Sequence, residues 1–185
     1  MISRYLKWAQ KEHSLDRRLK TLLPAGLLFL ILFPLAIAGG GPWLDTRFGL
    51  PAFRFGLLNY LLGGLLIVVG MVFGIWSNVA EISRGRGTPL PVMPTQELLI
   101  DGPFRYCRNP MTLGTLLAYT GVGLAAGTPA GLGFVFLFGS LLIAYLKIIE
   151  EKELAARFGE AYLAYKRTVP FLIPAFRKHR GQDER

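Results

Sequence analysis

Apolar residues in this chain come in long blocks. Residues 22–38, 56–77, 111–126 and 130–149 contain no Asp, Glu, Arg or His, and Lys147 is the single lysine among them. Uncharged apolar runs of about 17–25 residues match a helix crossing a hydrocarbon core roughly 30 Å thick. The pattern predicts an all-α, multi-pass transmembrane bundle of about four spans; a soluble helical core is the competing account of such blocks. Residues 56–77 form the clearest span. Residues 111–126 are short alone and are counted because Gly127-Thr128-Pro129 turns them back onto residues 130–149, making a C-terminal helical hairpin.

The polar stretches divide a single integral-membrane domain, residues 1–185. Residues 1–20 mix Ile2, Tyr5, Leu6, Trp8, Leu15 and Leu19 with many charges, as expected of a helix lying in the interface plane. Residues 22–97 comprise the first two spans and their connections. Gly39-Gly40-Gly41-Pro42 is expected to end the first span, with residues 43–54 an outer loop that leaves a re-entrant segment open. Gly63-Gly64 and the Gly70/Gly74 spacing in the second span mark a close-packing face. The 83–110 connection carries Pro89, Pro91, Pro94, Pro103 and Pro110, which predicts a stiff, ordered cover rather than a slack linker. Pro110 suits a first helical turn. Past Glu151, Leu154, Phe158, Ala161, Tyr162 and Tyr165 recur at three- and four-residue steps, predicting an amphipathic cytoplasmic helix that stops before Pro170. Residues 98–174 thus hold the hairpin and this helix. Phe171 to Pro174 is expected to tuck against the bilayer or the site, and residues 175–185 form a tail.

Charge changes the picture next. The formal net charge is +9, but its placement is topological. Arg4, Lys7, Lys11, Arg17, Arg18 and Lys20 precede the first block, Arg84, Arg86, Arg105 and Arg108 lie between the second and third, and the remainder sit at or beyond Lys147. Only Arg47 and Arg54 fall on the other side. With both termini cytoplasmic, four spans satisfy the positive-inside rule, and a prokaryotic plasma membrane is the expected location. Nucleic-acid binding is disfavoured, because no soluble face interleaves basic residues with aromatics. His13 and His179 stand in opposite tails and Cys107 is the lone cysteine, so neither metal-ligand spacing nor an internal disulfide is present. No Gly-x-Gly-x-x-Gly follows a strand pattern, which excludes a Rossmann nucleotide site.

The hairpin carries the candidate chemistry. Arg105, Tyr106, Arg108, Asn109 and Pro110 enter it, and Glu150 and Glu151 leave it. Two antiparallel spans return the glutamates to the face from which the arginines started, a polar site at the hairpin mouth. Asn78 and Glu81 emerge toward the same compartment, either to line that site or simply to meet water.

These residues resemble the integral-membrane methyltransferases that include isoprenylcysteine carboxyl methyltransferase and phosphatidylethanolamine N-methyltransferase. Their signature, Arg-His/Asn-Pro-x-Tyr-x-Gly, a hydrophobic hairpin and Glu-Glu, appears here as Arg108-Asn109-Pro110-Met111-Thr112-Leu113-Gly114 and Glu150-Glu151. Tyr119, Gly121 and Pro129-Ala130-Gly131-Leu132 resemble the phospholipid branch. Gly102-Pro103-Phe104-Arg105-Tyr106, Phe158-Gly159-x-x-Tyr162-x-x-Tyr165 and Val169-Pro170-x-x-Ile173-Pro174 resemble the carboxyl branch. Thr112 stands where the family has Tyr, and Asn109 replaces the His of the carboxyl branch, removing a titratable group.

The resemblance implies S-adenosylmethionine as cofactor and a lipophilic methyl acceptor entering from the bilayer, without a metal. It makes Arg108 and Glu150 the candidate catalytic residues. The candidate cofactor-binding set is Tyr106, Arg108, Asn109, Pro110, Gly114, Glu150, Glu151, Tyr162 and Tyr165. Carboxylates at Glu150 and Glu151 suit the cofactor's ammonium or ribose hydroxyls, and Arg108 suits a carboxylate. The C-terminal flanks tilt the expectation toward carboxyl methylation; phosphatidylethanolamine N-methylation, a nicotinamide-dependent membrane reductase and a non-catalytic scaffold are the alternatives. Arg108→Ala and Glu150→Ala are each expected to abolish activity with the fold intact.

Overall fold

A computed structural model describes residues 15–85 and 95–175. The expectations for Trp8, His13, Pro89, Pro91, Pro94, His179 and the tail beyond residue 175 lie outside the described residues. Among those described there is helix and no strand. Helices α1 (Leu15–Gly26), α2 (Phe33–Leu35) and α3 (Gly41–Phe48) are joined by π-wound turns at Leu27–Leu32 and Ala36–Gly40 into one continuous rod. Then come α4 (Leu57–Ser83), α5 (Pro110–Ala126), α6 (Pro129–Tyr145), a π-wound turn Leu146–Glu150, and α7 (Glu151–Thr168). Three stretches, Leu22–Phe48, Leu57–Ser83 and Pro129–Thr168, are long and apolar enough to span a bilayer, and α5 is a shorter apolar helix of 17 residues. The protein is an all-α, multi-pass membrane bundle.

The first rod corrects one expectation. Gly39-Gly40-Gly41-Pro42 does not end it; the helix runs on through Phe48, so much of the expected outer loop is helical. Proline in a helix normally clashes with the carbonyl four residues back, and the widened Ala36–Gly40 turn immediately precedes Pro42. Gly41 is bare because a Cβ there would lie 2.6 Å from Thr128 Oγ1. The stop comes at Gly49, in left-handed conformation at φ 65°, where glycine pays no steric penalty.

The other widened turn has a side-chain consequence. Phe33 N–H bonds to the carbonyl of Leu28, five residues back. The equivalent partner for the Phe29 carbonyl is Pro34, which has no N–H. Tyr119 Oη, from the middle of α5, donates to that carbonyl at 2.7 Å. Tyr119 is buried with Ile37 and Val135 in an intramembrane core edged by Phe29, Phe33 and Phe138. In hydrocarbon an unmet carbonyl is costly, so this tyrosine completes the backbone of another span.

Helices α4 and α5 pack along their length with glycine against glycine. A Cβ on Gly114 would come within 2.5 Å of Gly70 O, and one on Gly121 within 2.5 Å of Gly63 O. The contact glycines are seven residues apart on each helix, in antiparallel register. Gly74 contributes backbone opposite Gly114, whereas Cβ atoms on Gly64 or Gly74 would meet nothing within 4 Å. The close-packing face read from the sequence exists, with Gly63 and Gly70 as its centre.

At the far end of the bundle from residues 108 and 150, buried polar side chains tie the hairpin turn. Asn59 Nδ2 donates to the carbonyls of Phe53 and Leu124, and its Oδ1 accepts from Phe55 N–H. Thr128 caps α6 by accepting from Gly131 N–H, and Asp45 Oδ1 accepts from Ala130 N–H.

Candidate functional site

The proline-rich entry and the acidic exit of the hairpin meet. Gly102–Arg105 forms a single 3₁₀ turn opened by Gly102 at φ 61°. Residues 106–109 then form an irregular turn into α5, where Pro110 occupies the first helical position. The segment after α7 docks on this entry. Arg108 N–H donates to Pro170 O at 2.9 Å, and Asn109 donates through its backbone and its Nδ2 to Phe171 O at 3.2 and 3.0 Å. Ala175 N–H reaches Tyr106 O at 3.0 Å. Phe171 tucks against the site as expected, with its ring 5.6 Å from the Arg108 guanidinium and 5.0 Å from Lys147 Nζ.

Arg108 is the hub. Its guanidinium pairs with Glu151 Oε1 and donates to Tyr162 Oη at 3.2 Å and Val169 O at 3.1 Å. Glu151 takes a second cation, Lys166 Nζ at 2.6 Å. The arginine and the second glutamate of the Glu-Glu pair are therefore partners across the hairpin mouth. One residue earlier, Glu150 ends the π-wound turn and has no ion-pair partner among the described residues.

Beside this hub lies a partly open hollow. Arg108, Asn109, Glu150, Glu151, Tyr162 and Tyr165 of the candidate set line it. Tyr106, Pro110 and Gly114 do not. The Tyr106 ring lies 6.2 Å from Trp76 and 5.6 Å from the Arg105 guanidinium. Pro110 and Gly114 are buried, the latter against α4. These three shape the entry rather than face the cavity.

The walls include residues that sequence reasoning left out. Arg157 pairs with Glu153 at 3.2 Å and also donates to Thr95 O, fixing the 95–101 cover over the hollow. That i, i+4 pair looks like ordinary surface decoration in the sequence, so nothing there announces its burial. Phe104, Leu98 and Leu99 supply apolar wall. They pack with Ala80, Tyr162 and Tyr165 in a second core, and Tyr165 Oη donates to Phe104 O at 2.6 Å. Gly159, at φ 54° and ψ −132°, kinks α7 between Phe158 and this tyrosine pair, a conformation open essentially to glycine alone. Glu81, at the end of α4, also faces the hollow, and its Oε2 is buried without a hydrogen-bond partner.

Cys107 is buried between these elements, and burial pushes its thiol up to about 11. Burial of this kind disfavours the reactive thiolate. Among the described residues no His, Cys, Asp and Glu cluster fit to hold a metal is found.

Comparison with known proteins places this geometry. The phospholipid methyltransferase family profile matches residues 58–161, from the start of α4 into α7. Methanethiol S-methyltransferase 2 of Bradyrhizobium diazoefficiens is 35% identical over 85 residues, covering 44% of this chain. The match spans 30% of that relative's length. No solved structure matches. The matched region contains the glycine seam, the hairpin and the Arg108–Glu151 brace, and the chain belongs to the phospholipid methyltransferase family.

Proposed function

We propose that the protein is a membrane-embedded methyltransferase that holds S-adenosylmethionine in the hollow at the hairpin mouth and passes its methyl group to an acceptor arriving from the bilayer. The observation that carries this reading is the unpaired Glu150 on the wall. Four carboxylates, Glu81, Glu150, Glu151 and Glu153, line the hollow against two guanidiniums, Arg108 and Arg157. Each guanidinium already has a carboxylate, and Lys166 also reaches Glu151, so Glu81 and Glu150 are the wall carboxyls left without a cation among the described residues. The cofactor has an ammonium, a sulfonium and one carboxylate, a net positive guest. Glu150 receives the ammonium in a charge-assisted hydrogen bond, and the faces of Tyr162, Tyr165 and Phe104 suit the adenine and the sulfonium. Arg108 acts as a brace that keeps Glu151 and the 169–175 segment in place. Asn109 turns the entry into α5. Methyl transfer is an in-line displacement, so the protein's work is alignment and exclusion of water. The positive-inside pattern supports a site on the cytoplasmic face.

For the acceptor, the spent arginines argue against a group that arrives as a carboxylate, since neither guanidinium on the wall is unpaired. The likeness to a methanethiol S-methyltransferase points to a thiol, and a thiol acceptor is the reading adopted. Carboxyl methylation is the second reading, favoured by the docking of the Val169–Pro174 flank onto Tyr106 to Asn109.

Calorimetric titration of purified protein with S-adenosylmethionine tests the first part. Saturable binding that Glu150→Gln weakens at least tenfold is expected, and binding of a nicotinamide cofactor instead would refute it. Radiolabelled methyl transfer into membrane extract separates the acceptors: label released by mild base is an ester, and label that resists base and co-migrates with a thioether supports the thiol.

A further inference from the structure

The carboxyl group of Glu81 has no assigned task. It comes from the cytoplasmic end of α4, outside the signature residues of the hairpin, and shares the hollow with Glu150. Its Oε2 is buried and lacks a hydrogen-bond partner, and no cation is paired with it among the described residues. A buried, unpartnered carboxyl oxygen is expensive unless something else meets it. The two guanidiniums of the wall are committed to Glu151 and Glu153, which leaves the Glu81 carboxyl open to a partner entering from outside. Around this part of the hollow Leu98, Leu99 and Phe104 offer apolar wall, which suits an apolar acceptor better than a charged cofactor tail.

We propose that Glu81 is a catalytic residue, the proton acceptor for a thiol bound against Leu98, Leu99 and Phe104. The inference rests on the methyltransferase reading above and extends it to the acceptor half of the site. In the step, the S–H proton of the thiol passes to the Glu81 carboxylate. The sulfur lone pair forms the new S–CH3 bond as the cofactor's sulfonium–methyl bond breaks, leaving a thioether and S-adenosylhomocysteine. The proton then leaves Glu81 for water at the mouth of the hollow. An amine acceptor fits less well, because two carboxylates would hold it as the unreactive ammonium. A carboxylate acceptor brings no proton to remove.

The test compares an alkanethiol with the alkaneselenol of the same chain, which is ionised at neutral pH and needs no base. General-base catalysis contributes about 10²–10⁴-fold. Glu81→Gln should therefore lower turnover of the thiol at pH 7 by about a hundredfold or more, while turnover of the selenol falls less than about threefold. Affinity for S-adenosylmethionine, read by calorimetry, should stay within about threefold of wild type, and Glu81→Asp should keep more thiol activity than Glu81→Gln. Equal losses for thiol and selenol with cofactor affinity intact would overturn the base role. Equal losses together with lost cofactor affinity would also overturn it, making Glu81 a cofactor ligand. Wild-type protein that binds no S-adenosylmethionine would remove the methyltransferase reading itself, and this proposal with it.

Discussion

The glycine seam between α4 and α5 gives the sharpest quantitative test of the fold. At Gly114, an added methyl would sit 2.5 Å from Gly70 O and 2.6 Å from Gly74 N; at Gly121, it would sit 2.5 Å from Gly63 O and 2.9 Å from Ile67 N. These obstacles are backbone atoms of the facing helix, so no rotamer change relieves them. Comfortable Cβ contacts begin near 3.4 Å, and the helices must part by close to an ångström locally. Overpacking of this kind costs about 1–3 kcal/mol. Gly64 and Gly74 lie on the facing helix α4, yet a methyl on either meets nothing within 4 Å, and replacing helical Gly by Ala at an open position gains roughly 0.5–1 kcal/mol. Thermal unfolding in one detergent should therefore divide alanine variants that are identical in chemistry. Gly114→Ala and Gly121→Ala should lower Tm by roughly 2–12 °C, at about 2–4 °C per kcal/mol for a chain of this size, while Gly64→Ala and Gly74→Ala should hold or raise it. Equal shifts for Gly64→Ala and Gly121→Ala would refute the packing.

Other outcomes follow from buried hydrogen bonds and pairs. Tyr119→Phe leaves the Phe29 carbonyl unmet and should cost about 1–3 kcal/mol in detergent unfolding despite its near-identical shape. Arg108→Ala strips Glu151 of its main partner while Lys166 remains, so it should destabilise by roughly 2–3 kcal/mol and loosen the 169–175 segment to proteolysis. Cys107, buried and pushed up to about 11, should resist maleimide labelling at pH 7 until the protein is unfolded. Fast labelling of the native protein would show the entry segment to be open.

The sequence made the bundle legible because lipid imposes a coarse rule: uncharged runs long enough to cross must be helical. The return of Glu150 and Glu151 to the side of Arg108 follows from that rule once the hairpin closes at Gly127-Thr128-Pro129. Finer features were hidden where one residue answers to another element. Gly41 looks like part of a helix stop, and only the proximity of Thr128 explains why a glycine continues there. Tyr119 looks like packing, because the orphaned carbonyl it serves lies ninety residues away. Glu81 looks like a wet helix end, and Arg157 like a surface pair, until the 95–101 cover closes over them. Arg108 was expected to meet the cofactor or acceptor, and the partner it has in the fold is Glu151, the glutamate expected to hold the cofactor.

The π-wound turn at Leu146–Glu150 sets the angular phase between the membrane rod and α7. A π-wound turn holds about one residue more than an α-helical turn, and each α-helical residue advances the chain by about 100°, so tightening this turn with no residue removed would swing everything beyond it by roughly that angle. Tyr162, Tyr165 and Lys166 would then point away from the hairpin mouth, though every one of them would still be present.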